Sequence, residues 1–414
     1  MLFCVKILYN YDSVENFSSQ PTYMGIRRKN RRKKVLLLVE TTGYFGRSII
    51  GGIDRYATQN NWGITFEPRG MAEPLPRWLD SWDGDGVISR LVNVDAAEQV
   101  RRMGLPVVEV AGVQSIQKAD IIVDERLLAK MAADHLLGCG FQHFAFYSYG
   151  MSWWSFAREN AFVKEMKERG HECSRLRLIS GSVDDSFPLW SLNERKRLQQ
   201  WLRRLPKPVA IFTAGDFHAR EVLLACHQNK LSVPREVAVL GVDNDPWFCQ
   251  YLSPTLSSID ANGFLTGWSA AVLLENLLKG QPRPVQPITI PPLHVSARQS
   301  TDVVAVPDSD LAAALRFLRQ ADPLCTSVAD LVREVGLSPR TLERRFRQYL
   351  GKTPEQEIRR IRIERSKILL RETPLSVESV GLKTGFSSQE HFIRAFKQEM
   401  GTTPGHYRLQ ARAE

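Results

Sequence analysis

The sequence predicts an α/β sensor of two lobes built on parallel sheets, followed by an all-α domain with two helix-turn-helix motifs. Three observations carry that expectation. From Val35 to about Val295, short continuous apolar runs alternate with stretches of helical spacing. In the last hundred residues one helix-turn-helix pattern is written twice, 49–50 positions apart. The charge is also segregated: residues 1–34 hold 8 Lys/Arg against 2 Asp/Glu, residues 311–414 hold 19 against 12, and residues 35–310 hold 28 against 31.

The sensor comes first. Its apolar runs are Val35–Val39, Gly86–Ile88, Val107–Val110, Ile121–Val123, Phe144–Tyr147, Val209–Phe212 and Val237–Val242. Between them, Leu127–Leu137, Phe156–Met166, Leu192–Leu205 and Phe264–Leu278 have helical periodicity. Unbroken apolar strands separated by helices mean parallel sheets covered on both faces, and ligands of such sheets bind beyond the carboxyl ends of the strands. Polar and aromatic residues collect there: Glu40-Thr-Thr-Gly-Tyr44-Phe45, Asp124, Tyr147-Ser148, Thr213-Ala-Gly-Asp216 and Asp243-Asn244-Asp245. Carboxylates accept hydroxyl hydrogen bonds and aromatic faces stack on C–H surfaces, so the set suits a sugar. Each aspartate has an alternative as a helix cap, Asp216 most plainly, since a helical stretch starts at His218. Dinucleotide, P-loop, nucleophile-elbow and zinc-protease motifs are missing, with Gly43-Tyr-Phe-Gly46 standing where a glycine-rich fingerprint would fall. No cofactor or metal site and no enzymatic activity is expected; a sugar-processing enzyme with a DNA-binding tail is the remote alternative.

In the C-terminal domain, Leu331 and Val335 give one buried face to a helix ending at Gly336. Ser338 then caps a second helix with Pro339 as its first residue, and Leu342 and Phe346 turn inward. Arg340, Thr341, Glu343, Arg344 and Arg347 are left facing out, a mostly basic surface suited to a major groove. In the second copy Ser387 or Ser388 caps, Phe392 and Phe396 pack, and Gln389, Glu390, His391, Arg394 and Lys397 face out. A single copy also reads as a plain helical hairpin with a solvated face; two copies in one register point to DNA. Between them, Pro354–Leu370 reads as a rigid connecting helix with apolar residues at Ile358, Ile361, Ile368 and Leu369. Such a spacer would set the two recognition helices about one duplex turn, ~34 Å, apart on tandem half-sites of double-stranded DNA.

The remaining features bound the class. At 414 residues with a net charge of +10, the chain suits two or three domains with polyanion binding at its basic ends. The expected organisation is a basic, disordered tail at 1–34, a sensor at 35–300, a linker at 301–310 and a DNA-binding domain at 311–410. Its motifs would lie at about 328–349 and 376–399. Six scattered cysteines without CxxC spacing read as reduced thiols. Leu2–Leu8 is too short for a signal peptide, and no apolar run approaches the ~20 residues of a membrane span, so a cytoplasmic protein without membrane contact is expected.

Residues 311–414, with their closing Phe396-Lys…Gly401-Thr-Thr-Pro-Gly-His-Tyr-Arg408, resemble the DNA-binding domain of the AraC/XylS family of bacterial transcription regulators. The resemblance implies base-edge readers at Arg340, Thr341 and Arg344, then at Gln389, Glu390, His391 and Arg394. It also marks two departures, Val332 and Gly381, where the family carries a small alanine. A glycine costs a helix ~1 kcal/mol, so a slightly altered helix spacing is expected there.

A second resemblance covers the sensor. Val123-Asp-Glu-Arg-Leu-Leu-Ala-Lys-Met-Ala-Ala-Asp-His-Leu-Leu-Gly-Cys-Gly-Phe141, Arg158-Glu-Asn-Ala-Phe162 and Val239-Leu-Gly-Val-Asp243 are similar to landmarks of the LacI/GalR-type, periplasmic-binding-protein-like fold. It implies sugar contacts at Asp124, Arg158 and Asp243, with Asp216 beside Gly215, which stands where that fold usually has an amide. With Tyr44 and Phe45 these form the expected ligand set. A LacI-like sensor joined to an AraC-type reader resembles sugar-operon activators over about residues 35–408. It implies D-xylose or a related pentose as ligand, a homodimer, and RNA polymerase as partner. The same architecture also serves a repressor or a sensor of another sugar.

Overall fold

The computed structural model of this chain describes residues 31–70, 73–91, 94–111, 119–150, 152–178, 192–303, 308–320 and 327–412. Most of the expected basic tail, part of the expected linker, and Cys4 and Cys325 lie outside them; Cys139, Cys173, Cys226 and Cys249 form no disulfide among the described residues.

The first lobe is β1 (Lys33–Leu38), α1 (Tyr44–Gln59), β2 (Trp62–Phe66), β3 (Gly86–Ser89), α2 (Val94–Arg102) and β4 (Val107–Glu109), with strands ordered β2-β1-β3-β4 and all parallel. The unbroken run in β1 follows from burial on both faces. Val35 and Leu37 enter a core shared with Ile49 and Ile53 of α1, whereas Leu36 and Leu38 pack with Ala97 and Val100 of α2.

From β5 (Ile121–Val123) the chain enters α3 (Glu125–Gly138) and the second lobe. There follow β6 (His143–Tyr149), α4 (Trp153–Glu168), β7 (Cys173–Leu178), α5 (Leu192–Arg204), β8 (Val209–Thr213), α6 (Asp216–Gln228), β9 (Val237–Val242), α7 (Pro246–Tyr251) and β10 (Ser257–Ile259). The chain then returns to the first lobe through α8 (Gly263–Leu278) and β11 (Ile288–Ile290), which pairs in parallel with β5. Finally β12 (Val295–Ser296) adds an antiparallel edge to a sheet ordered β12-β10-β9-β8-β6-β7. β10 and β12 are too short and polar to announce themselves by periodicity.

The connecting strands between the lobes are bonded to one another. The Asp124 amide donates to the Ile290 carbonyl (2.8 Å), Leu293 donates to Asp260 (2.9 Å), and Asp260 donates to His294 (2.9 Å). α1 and α8 meet backbone to backbone: a Cβ at Gly52 would lie 2.0 Å from the Phe264 carbonyl oxygen, and one at Gly267 1.9 Å from that of Ile49.

The remaining elements are helical: α9 (Ser309–Gln320), α10 (Val328–Val335), α11 (Pro339–Leu350), α12 (Pro354–Glu372), α13 (Val377–Lys383), α14 (Gln389–Met400) and α15 (Pro404–Arg412). Ser327 and Asp330 form a capping box, Ser338 caps α11 ahead of Pro339, and Gly336 closes α10 at φ 67°. Of the two candidate serines, Ser388 caps α14, accepting from the His391 amide. α12 serves two cores. Ile358 joins Leu331, Leu342 and Phe346, whereas Ile363 and Leu370 join Val380, Phe392, Phe396 and Tyr407. Five residues of α-helix turn through roughly 140° net, so the two halves sit on different faces of α12. Ile368, expected to be buried, lies outside the sector those two faces span and is 49 % exposed. Gly381 has a packing reason: a Cβ there would lie 2.9 Å from Cδ1 of Phe392, so the large ring takes the space an alanine would need. No helix among the described residues is long and apolar enough to cross a membrane.

Candidate functional site

The carboxyl ends of strands from both lobes converge on one partly open cavity of about 70 Å³. From the first lobe come Glu40, Thr42, Gly43 and Phe45 after β1 and Arg90 after β3; from the second come Trp153, Trp154 and Arg158 of α4, Gly215, Phe217 and His218 after β8, and Asp243 after β9. Glu125, at the crossing, completes the wall with Ala111, Ile122 and Val123. A buried water needs ~10–15 Å³ of such space, so the cavity accepts a handful of polar groups on one small molecule.

Its chemistry is built twice. Arg90, 6 % exposed, pairs with Glu40 and places its guanidinium 5.1 Å from the Phe45 ring centroid. Arg158 makes a bidentate pair with Glu125, at 2.9 Å from both Nε and Nη2, and lies 5.2 Å from the Trp154 ring. Each lobe thus offers a guanidinium held between a carboxylate and an aromatic face, an arrangement that fixes the donors in place. Arg158 is also tied to the Ala214 carbonyl through Nη1.

Several buried polar atoms on this wall have no partner among the described residues: Glu40 Oε2, Thr42 Oγ1, Arg90 Nε, Trp154 Nε1 and His218 Nδ1. Buried polar groups are nearly always hydrogen-bonded, so five such atoms around one cavity can accept or donate bonds to water or to a polar occupant. Burial drives the His218 pKa down to about 3, with Arg158 adding to the effect, so the imidazole is neutral. Its Nε2 lies 3.4 Å from the Tyr149 carbonyl and donates, which leaves Nδ1 as an acceptor. Burial and nearby Asp216 push the Asp243 carboxyl well above the usual range, against the pull of Arg158 and Arg90. Burial likewise raises Glu40, against the pull of Arg90. Each guanidinium already has a carboxylate partner, Arg90 in Glu40 and Arg158 in Glu125, so neither is left unpaired for a phosphate.

Of the six expected ligand residues, Phe45, Arg158 and Asp243 line this cavity. The other three do not. Asp124 caps α3, accepting from the Leu127 amide at 2.9 Å, and the next residue, Glu125, reaches the cavity instead. Asp216 turns away from the cavity. Its carboxylate accepts from the Ser258 hydroxyl (2.6 Å) and the Asp245 amide (2.9 Å), pinning the loop after β9 to β10. The Tyr44 ring lies outside the lining, beneath the Arg47 guanidinium at 5.9 Å. Arg47 itself bridges the lobes through Asp245 at 3.1 Å. β6 also runs on to Tyr149, so Tyr147, expected at a strand end, is buried in a core beneath α5 and α6. Sequence reasoning missed Arg90, Glu125, Trp154 and His218. Arg90 follows β3 directly, and the strand-end rule reaches it; Trp154 lies one turn before Arg158 on α4.

A second candidate surface lies on α11 and α14. Arg340, Arg344 and Arg394 are exposed and have no hydrogen bond or ion pair to another described residue. Exposed Lys397 extends this face on α14, while Arg347 is held by Glu343 at 2.8 Å. Thr341 is spent locally, its hydroxyl 2.9 Å from the capping Ser338. Gln389 and Glu390 are exposed on the first turn of α14, where the exposed His391 ring leans on Phe386 at 5.6 Å. Neighbouring Arg345 turns the other way, to Asp308 (2.6 Å) and Asp310 (2.7 Å).

Comparison with known proteins follows the same division. Residues 133–301 match the periplasmic binding protein-like domain family, and residues 331–410 match a helix-turn-helix domain family. The xylose operon regulatory protein of Haemophilus influenzae is 32 % identical over 389 residues, covering 91 % of this chain and 98 % of that protein. Its Escherichia coli K12 counterpart is 30 % identical over 394 residues, covering 91 % and 97 %. The solved structure of the xylose-binding transcription activator XylR superposes with a TM-score of 0.58 at 29 % identity, covering 91 % of this chain and 98 % of that one.

Proposed function

Because this chain belongs to the family of xylose operon regulatory proteins, we propose that it is a transcription regulator whose DNA binding responds to D-xylose held between its two lobes. The observation that carries this reading is the pair of guanidiniums, Arg90 and Arg158, each set between a carboxylate and an aromatic ring on opposite walls of one small cavity. Hydroxyls of a neutral pentose match fixed donors and acceptors of this kind, and its C–H face matches Phe45 and Trp154. In this reading Arg90, Arg158, Glu125, Asp243 and His218 bind the sugar.

DNA is read by α11 and α14. Arg340 and Arg344 lean on guanines and phosphates, and Gln389, Glu390, His391 and Arg394 read a more mixed sequence, with Arg347 and Lys397 adding phosphate contacts. The finer features follow from the operon-regulator resemblance: a homodimer on tandem half-sites, activation through RNA polymerase, and a cytoplasmic location. A sugar that binds one arrangement of the lobes better than another shifts the population towards it, and only that difference in affinity regulates.

A thermal-shift panel of pentoses, hexoses and pentose phosphates tests the ligand. D-xylose should raise the melting temperature and its phosphate should not. A response to another sugar with none to D-xylose would overturn the choice of ligand, and a response to phosphates would overturn the charge argument.

A further inference from the structure

We infer that α3 is the rod by which an occupied cavity controls the first DNA-reading motif, while the second is reached through α12. This rests on the sensor reading above and concerns how that sensor is wired. α3 spans about 20 Å at 1.5 Å per residue and is buried along one face by Leu128, Ala129, Ala132, Ala133 and Leu136. Its first residue, Glu125, lines the cavity and holds Arg158 in two hydrogen bonds. A ligand that takes up a donor of Arg158 or an oxygen of Glu125 therefore acts on the start of this helix.

The other end of α3 meets the reader domain. Asp134 lies 3.9 Å from Lys352, in the turn between α11 and α12, and is itself fixed by Lys130 (2.8 Å) and Arg169 (2.6 Å). Arg360 of α12, anchored by Glu357 at 2.6 Å, approaches the last residue of α3 so closely that a Cβ on Gly138 would lie 3.4 Å from its Nη2. A cation there complements the carbonyl end of a helix dipole. Just beyond, the Gln142 amide donates to the Tyr349 carbonyl, 3.1 Å away at the end of α11. Tyr349, Lys352 and Arg360 all belong to the half of the reader that carries Arg340 and Arg344. α11 is further tied through Arg345 to Asp308 and Asp310, where the chain enters the reader.

The test uses the full chain with D-xylose and a DNA duplex selected by the wild-type protein from random sequence. The double variant Gln142→Ala/Lys352→Ala changes only partly or fully exposed side chains. It should leave D-xylose affinity without DNA unchanged. The ratio of duplex affinities with and without D-xylose should fall at least about fivefold towards unity. By reciprocity the effect of the duplex on D-xylose affinity should fall by the same factor. Lys352→Glu, which sets like charges beside Asp134, should weaken the ratio in the same direction. A sugar-responsive wild type whose variants keep the full ratio would overturn the α3 route and spare the sensor. A wild type that neither binds D-xylose nor changes its DNA affinity with it would sink both.

Discussion

Arg158 and Glu125 form a fork-on-fork ion pair whose side chains are only 5 % and 12 % exposed, on the wall of the interlobe cavity. A pair this buried is costly to break one partner at a time, because the remaining charge is left without compensation. Arg158→Met should therefore lower stability by about 3–5 kcal/mol and abolish the pentose-dependent rise in melting temperature. Glu125→Gln keeps one acceptor and should cost less in stability while weakening sugar binding. Denaturant titration separates the stability change from the ligand effect. A fully stable Arg158→Met would show that the pair is dispensable.

The exposed arginines of the reader divide by their partners. Arg344→Ala and Arg394→Ala, which free no intramolecular carboxylate, should each weaken specific DNA binding by about 1–3 kcal/mol and relax preference at one base position. Arg345→Ala should instead disturb packing against Asp308 and Asp310 and leave base preference intact. Competition binding with single-base-substituted duplexes checks both. An Arg344→Ala protein with unaltered preference would remove that residue from base reading.

Close packing of α1 on α8 predicts a large effect from a small change. Gly267→Ala puts a methyl 1.9 Å from the Ile49 carbonyl oxygen, so the helices must separate along their contact. The loss should be about 1–3 kcal/mol or more, read as a lower melting temperature. The same substitution at Gly405 of α15, where a Cβ meets open space, should instead hold or raise the melting temperature, since a glycine costs a helix ~1 kcal/mol.

His218 titrates with a defined sign. Its pKa lies near 3 in the folded chain, depressed by burial from a usual value of 6.5. As pH falls below 6.5 the unfolded chain takes up a proton that the folded chain refuses. Stability from this group is therefore full above pH 6.5 and is lost as pH falls towards 3, by up to about 1.4 kcal/mol per pH unit. Subtracting the unfolding free energies of His218→Gln from wild type between pH 5 and 7.5 isolates that slope. A flat difference would mean that His218 takes up its proton in the fold at the same pH as in the unfolded chain.

The sequence determined the architecture because the signals were local and repeated. Apolar runs marked β1, β3, β5, β8 and β9, serine and glycine marked the caps of α10 and α11, and the duplication marked α11 and α14 as equivalent helices. It also led to three residues of the cavity wall, Phe45 by the strand-end rule, Arg158 by resemblance and Asp243 by both. Tertiary structure decided which neighbouring side chain turns inward. Asp124 or Glu125, Tyr44 or Phe45, and Asp216 or His218 are choices between residues one or two positions apart with similar local claims. They were settled by which one a helix needed as its cap, which one Ser258 and the Asp245 amide could satisfy, and which one faced the opposite lobe. Arg90 and Arg158 illustrate the limit most clearly: 68 positions apart in the chain, they become partners in one cavity only when the lobes meet.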